Sequence, residues 1–185
     1  MQILMWSKIY LQKMRGGGNS PPAVSRPELF WSGLGAFLGI GLVGFLEAQF
    51  FAPLDQVLLI GSFGASAVLL YGAPSSPLAQ PRNLLGGHLL SALVGVLVFQ
   101  LAGSTLWLAS ALAVALAIVV MHLTRTLHPP GGATALIAVI GSETLHRLGF
   151  LYALVPVGLG AVCLLLVALL VNNLATERRY PVWWW

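Results

Sequence analysis

Apolar residues fall in six runs, at about 29–49, 54–73, 84–101, 105–124, 129–142 and 150–170, separated by short polar breaks. A hydrocarbon core of about 30 Å takes about 20 helical residues to cross. Five of the runs therefore predict membrane-spanning helices. The fifth run in chain order is too short to span comfortably and predicts a half-length helix. Residues 84–101 and 105–124 contain no Asp, Glu, Lys or Arg, side chains that cost up to about 3.5 kcal/mol each at a bilayer centre. The predicted fold class is all-α, a polytopic membrane protein. Residues 1–27 read as an N-terminal tail, 28–174 as the membrane domain and 175–185 as a C-terminal tail. The tail to Pro27 carries Gly16-Gly17-Gly18 and Pro21-Pro22, which suits a flexible segment, with room before it for a short surface helix.

Composition agrees with the pattern. Of 185 residues 58% are hydrophobic and 8% charged, against roughly a quarter charged in an ordinary soluble domain. The net charge of +4 comes from basic residues scattered singly, with no stripe to follow a phosphate backbone, so no nucleic-acid partner is expected. The partner implied is the lipid bilayer. Lys8, Lys13, Arg15, Arg26, Arg82, Arg125, Arg178 and Arg179 all fall on one side if six segments cross, and Arg147 alone on the other. The positive-inside rule then places both termini in the cytoplasm. Trp31, Trp107 and Trp183-Trp184-Trp185 suit interfacial aromatic belts. No apolar core with a small-residue cleavage site opens the chain, so no cleavable leader is expected. Cys163 stands alone in an apolar run and reads as a free buried thiol.

Small residues supply the next clue. Gly33, Gly35, Gly39, Gly41 and Gly44 crowd the first segment, and Gly35 with Gly39 makes a GxxxG face for close helix packing, within the chain or between copies in a homo-oligomer. Gly64-Ala65-Ser66-Ala67 in the second segment matches Gly132-Ala133-Thr134-Ala135 in the fifth, at an offset of 68. Each block lies in the middle segment of a group of three. A repeat of three crossings must be inverted, so two inverted repeats are expected over about 28–103 and 104–174, with short or broken middle helices and a site where they meet. His128-Pro129-Pro130-Gly131-Gly132 marks a helix start, since proline suits the first turn. Bare N–H groups at such a start favour an anion.

The candidate site is therefore Gly64, Ala65, Ser66, Gly131, Gly132, Ala133 and Thr134 by backbone and hydroxyl donors. Arg82, His88 and His128 would supply charge. A histidine within a span is a functional candidate by default, and imidazole would permit proton coupling. Asn83 is placed to cap the third segment. Glu47 and Asp55 border a loop, His122 reads as a packing residue, and His146 with Arg147 as solvated. No metal site, cofactor loop or nucleophile–base pair is visible, so no enzyme is expected.

The run His128–Leu136, read as HPPGGATAL, resembles the signature of the HPP family of integral membrane proteins. Gly61–Leu70, read as GSFGASAVLL, is similar to a second block of that family. Gly72-Ala73-Pro74, Ser76–Asn83 and Gly86-Gly87-His88 continue the resemblance, which covers about residues 28–172. Gly131 departs from the alanine commoner there. Family members from cyanobacteria and chloroplasts are regarded as nitrite transporters. The resemblance thus implies transport of a small inorganic anion, nitrite first, and a bacterial or cyanobacterial inner membrane. The alternative is a non-transporting membrane scaffold or regulatory subunit.

Overall fold

The computed structural model describes residues 2–51 and 58–185. Four helical stretches are long and apolar enough to cross a membrane: Arg26–Phe51, Pro81–Ala102, Leu106–Leu123 and Glu143–Leu174. Two shorter apolar helices, Ser62–Gly72 and Pro129–Ile140, lie between them. No strand occurs among the described residues. The half-length helix expected at the fifth run is present, and the second run is as short.

In chain order, α1 is Gln2–Lys13 and α2 is Arg26–Leu46. Ser25 caps α2, its hydroxyl accepting from the Glu28 N–H at 3.3 Å. A wider turn, Glu47–Phe51, continues α2. Helix α3 is Ser62–Ala67, extended by a π-helical turn over Val68–Gly72. Next come α4 (Pro81–Ala102), α5 (Leu106–Leu123), α6 (Pro129–Ile140), α7 (Glu143–Leu148) and α8 (Leu159–Leu174). Proline opens α4 and α6, where its missing N–H is harmless.

Two expected boundaries move. The second segment was expected from residue 54, but α3 begins at Ser62; residues 54–57, and Asp55 with them, lie outside the described residues. Ahead of α3 the chain is tied down differently. The buried Glu47 carboxylate accepts from the Leu58 and Leu59 N–H groups at 2.5 and 3.3 Å. The last segment was expected as one helix from residue 150. Val155 instead has extended backbone (φ −137°, ψ 118°), and α8 starts at Leu159. Pro156 follows the break, where its lack of an N–H does no harm.

The glycine seams show what holds the bundle together. Gly35 and Gly39 receive the ring of Tyr71, and a methyl group at either would overlap it. The GxxxG face is thus filled from within the chain. The Tyr71 hydroxyl crosses the seam and donates to the Leu164 carbonyl at 3.0 Å. Phe63 seats against Gly160 in the same way. A net hydrogen bond is worth about 1 kcal/mol, so Tyr71→Phe is expected to lower the unfolding free energy by about that amount while keeping the ring in its groove. A denaturation series on the detergent-solubilised protein measures it.

One end of the bundle gathers basic residues. Arg178 binds Glu28 at the start of α2 through Oε1 at 2.6 Å and Oε2 at 2.9 Å. Arg82 donates to the Thr124 carbonyl at the end of α5 at 2.8 Å. At the opposite end His146 of α7 stacks on Phe99 of α4, ring centroids 3.7 Å apart. The residues expected as a C-terminal tail are partly docked. Tyr180 is buried and donates to the Ala79 carbonyl at 2.8 Å, and the Val182 N–H donates to Gln80 Oε1 at 2.8 Å.

Candidate functional site

The two short helices meet at hydroxyl-bearing faces. On α3, Ser62 and Ser66 are four residues apart, so they share a face; both are fully buried. On α6, Pro130 and Thr134 share a face by the same spacing, and Thr134 is fully buried. Helix α4 runs beside both and inserts His88. Close approach is possible because α4 and α6 meet through small residues. A methyl at Gly87 would lie 2.9 Å from the Thr126 carbonyl oxygen, and one at Gly95 would lie 2.6 Å from that of Ala135. A methyl at Gly131 would lie 2.7 Å from Ser91 Oγ.

This packing closes an unbroken hydrogen-bonded chain. Ser62 Oγ lies 2.9 Å from Thr134 Oγ1. Thr134 Oγ1 lies 2.7 Å from His88 Nδ1. His88 Nε2 and His128 Nε2 both reach Ser66 Oγ, at 2.7 and 2.9 Å. His128 Nδ1 donates to the Leu78 carbonyl at 2.8 Å. Every side chain in this series has no exposed surface. The two imidazole rings lie 5.0 Å apart, and Phe63 meets His88 edge-on at 5.4 Å. Tyr152 steadies α6 by donating to the Thr134 carbonyl at 3.1 Å.

Depth follows from helix rise. His88 stands seven residues into α4, about 10 Å from its basic end at 1.5 Å per residue. Ser62 stands ten residues from Gly72, about 15 Å deep by the same measure. The chain of hydroxyls and imidazoles therefore runs from a loop at the basic end toward the middle of a core about 30 Å thick.

Of the expected site residues, the structure brings Ser66, His88, His128 and Thr134 together. Gly131 stands behind them against Ser91. Gly64 and Ala65 face outward from α3. Gly132 and Ala133 line a separate apolar groove of about 500 Å³ with Val114, Ile118, Met121 and Leu136. The N–H groups of Gly64 and Gly131 bond to the carbonyls of Gly61 and His128 at 3.2 and 2.8 Å, so the backbone donors there are already engaged. Arg82 closes the end of α5. Asn83 donates to the Leu127 carbonyl at 2.8 Å and does not cap α4. His122 is exposed where packing was expected, because it falls on the outward face of the last turn of α5. His146 is half-buried where solvation was expected, held by Phe99 and the Val139 carbonyl. Arg147 is exposed and pairs with Glu143 at 2.7 Å.

Sequence reasoning missed Ser62, the Leu78 carbonyl and Tyr152. Ser62 was detectable as the residue one turn before Ser66; a backbone carbonyl carries no sequence signal. It also saw no nucleophile–base pair, whereas Ser66 sits between two imidazoles. That hydroxyl is fully buried and bonded to both rings, so it presents no open face to a substrate carbonyl. Among the described residues no three His, Cys, Asp or Glu side chains gather as a metal site.

Comparison with known proteins fits this construction. The profile of the HPP transmembrane region matches residues 21–181. The chain belongs to the HPP family. Two curated relatives, both from Dictyostelium discoideum and both named only as transmembrane proteins, are similar along its length. One is 49% identical over 188 residues, covering all of this chain and 60% of the relative. The other is 45% identical over 188 residues, covering 99% of this chain and 66% of the relative. The chain thus spans about two thirds or less of the length of these relatives. No solved structure matches it. Family and apolar helices together make it an integral membrane protein; neither the bacterial membrane nor the cytoplasmic termini expected from the sequence draws support from these relatives.

Proposed function

We propose that this HPP protein is a membrane transporter for a small inorganic anion, nitrite first, with its site at the meeting of α3 and α6. One observation carries the reading: two helices too short to cross the bilayer meet around a buried chain of hydroxyls and imidazoles. Helix α6, at 12 residues, is about 18 Å long. Ionisable residues inside a membrane domain are costly and mark pathways. Broken helices meeting at mid-membrane are a recurrent transporter plan. The order long–short–long in 26–102 and again in 106–174 supports two inverted halves, with Ser66 and Thr134 in matching places. Neutral hydroxyls and a chargeable imidazole suit a small monovalent anion better than a cation, which would seek carboxylates.

The cluster is closed in this conformation, as in an occluded carrier. Closure also favours the second reading, a non-transporting scaffold whose polar core only fixes helix register. Nitrite flux into sealed liposomes separates the two. Uptake well above empty liposomes is expected, falling at least tenfold in His88→Leu and His128→Leu proteins that remain folded. Wild-type protein that is correctly inserted and passes no nitrite, nitrate, formate or chloride would make the scaffold reading the better one.

A further inference from the structure

We propose that the apolar groove between α5 and α6 holds an acyl chain of one anionic phospholipid, whose phosphate rests on Arg125. The inference stands apart from the transport reading, because it concerns the outer wall of the bundle. It begins from the shape of the groove. Val114, Ile118 and Met121 share one face of α5 by spacings of four and three. Pro129, Gly132 and Leu136 share one face of α6 by spacings of three and four. Each stripe rises about 10 Å from the basic end toward the middle of the bundle. That is most of one leaflet, about 15 Å of a 30 Å core. Every lining side chain is apolar, and the space is about 500 Å³. Gly132 keeps it open: a methyl there would meet only Val114 Cγ1, at 3.8 Å.

The mouth of the groove is basic. His122 lies one turn beyond Ile118, Arg125 lies one turn beyond Met121, and both are exposed. Arg82 adjoins them, donating to the Thr124 carbonyl at 2.8 Å. Residues 56–142 contain no Asp or Glu, so no acid on α3, α4, α5 or α6 neutralises this end. The ion pairs among the described residues are Arg147–Glu143 and Arg178–Glu28. Among the described residues no hydrogen bond or ion pair holds the Arg125 guanidinium.

The backbone sharpens the point. Helix α5 ends in a paired cap, the Arg125 N–H bonding to the His122 carbonyl at 3.2 Å and the Thr126 N–H to the Met121 carbonyl at 2.8 Å. Such a cap holds its middle residue in the left-handed region, where glycine is the usual occupant. Arg125 stands there with φ +57° and carries a strain that glycine would avoid. No contact of its side chain among the described residues offsets that strain; a bound phosphate would.

One occupant suits both the groove and its mouth. A second copy packed on this face about an axis along the membrane normal would meet the same patch on its partner. Arg82 and Arg125 would then face like charges, which disfavours the contact. A phospholipid of this leaflet brings a phosphate to the level of Arg125 and a chain to the level of the groove. Basic pockets between transmembrane helices take anionic headgroups in this way. Leu127 and Pro129 line the groove and flank His128, so the same lipid braces the turn that carries this imidazole.

Native mass spectrometry tests the site on the full chain, released from vesicles of equal phosphatidylglycerol and phosphatidylcholine. One phosphatidylglycerol per chain should be retained in preference to phosphatidylcholine. Arg125→Gly should weaken that retention about fivefold, the loss expected for one cation beside an anionic headgroup. In lipid-free detergent the same variant should raise the unfolding midpoint, since glycine relieves the strain, and added phosphatidylglycerol should then raise it less than in wild type. Gly132→Leu, whose side chain would fill the groove, should abolish retention with Arg125 in place. Ile118→Trp fills the groove from the α5 side and should do the same if Gly132→Leu does not fold. Equal retention of the two lipids, or retention unchanged in Arg125→Gly, would overturn the headgroup contact. Retention unchanged in the groove-filling variants would overturn the seat of the chain. A dimer that those variants split would put a second copy in the groove and overturn the lipid.

Discussion

Gly95→Leu should lower the unfolding midpoint of the solubilised protein by roughly 5–10 °C, with Gly95→Ala moving it part of the way and Gly41→Ala moving it upward. The three substitutions differ in what the new side chain meets. In a helix interior Ala is better than Gly by about 1 kcal/mol. At Gly41 that gain is free, because nothing lies within 4 Å of the added methyl. At Gly95 the methyl would sit 2.6 Å from the Ala135 carbonyl oxygen and 2.8 Å from Ala135 Cα. Those are backbone atoms of α6 and cannot swing aside. The helices must separate, and overpacking of this kind costs about 1–3 kcal/mol for small insertions and more for a leucine. Ala135 is the neighbour of Thr134. Moving α6 outward would stretch the 2.7 Å contact between Thr134 and His88, so nitrite uptake should fall with stability in Gly95→Ala and stay at the wild-type level in Gly41→Ala. A thermal-shift series with paired flux assays checks both. Unchanged stability in Gly95→Leu would mean that α4 and α6 are not packed backbone to backbone.

Much of this architecture was legible because lipid imposes a simple rule on composition. Runs without charge mark helices, and their lengths separate α4 and α5, which can cross, from α6, which cannot. The paired small-residue blocks fall on the two short helices, α3 and α6, for a similar reason: only Gly, Ala, Ser and Thr let three backbones converge. The blocks did not reveal which of their residues face inward. Ser66 and Thr134 do, whereas Gly64, Ala65, Gly132 and Ala133 turn away, since neighbours one or two apart on a helix point in different directions. Reading by spacing of four from each hydroxyl would have selected Ser62 and set the glycines aside. Other features lay beyond reach. That Tyr71 fills the notch of Gly35 and Gly39 depends on how α2 and α3 cross. That Glu47 holds the Leu58 and Leu59 N–H groups depends on a loop path, and loop paths follow from tertiary contacts that no local pattern encodes.

Arg178 shows the same limit and yields the second large effect. By position it reads as an orientation charge in a tail. In the fold its side chain is 4% exposed. It grips both Glu28 oxygens, the Glu28 carbonyl at 3.2 Å, Ser32 Oγ at 2.9 Å and Asn172 Oδ1 at 2.8 Å. Arg178→Leu should therefore destabilise by about 2–4 kcal/mol, below the upper end for a broken buried pair because Glu28 keeps 28% exposure. Arg178→Lys should recover little, since an ammonium cannot reproduce the planar fork. The double substitution Glu28→Leu with Arg178→Leu should be more stable than Arg178→Leu alone, because it removes the stranded carboxylate. A double-mutant cycle in denaturant measures all three, and additivity would show that the two residues act separately. The consequence reaches the candidate site along a traceable path. Arg178 anchors the segment that carries Tyr180 and Val182, and these bind Ala79 and Gln80. Gln80 in turn ties the loop together by donating to the Pro74 and Ser76 carbonyls at 2.9 and 2.8 Å. That loop presents the Leu78 carbonyl to His128. Loosening the clamp should free the acceptor that fixes the His128 tautomer, so Arg178→Leu should let that ring exchange between tautomers in ¹⁵N spectra. The same clamp would then set both how firmly the bundle closes and how firmly the Leu78 carbonyl holds His128.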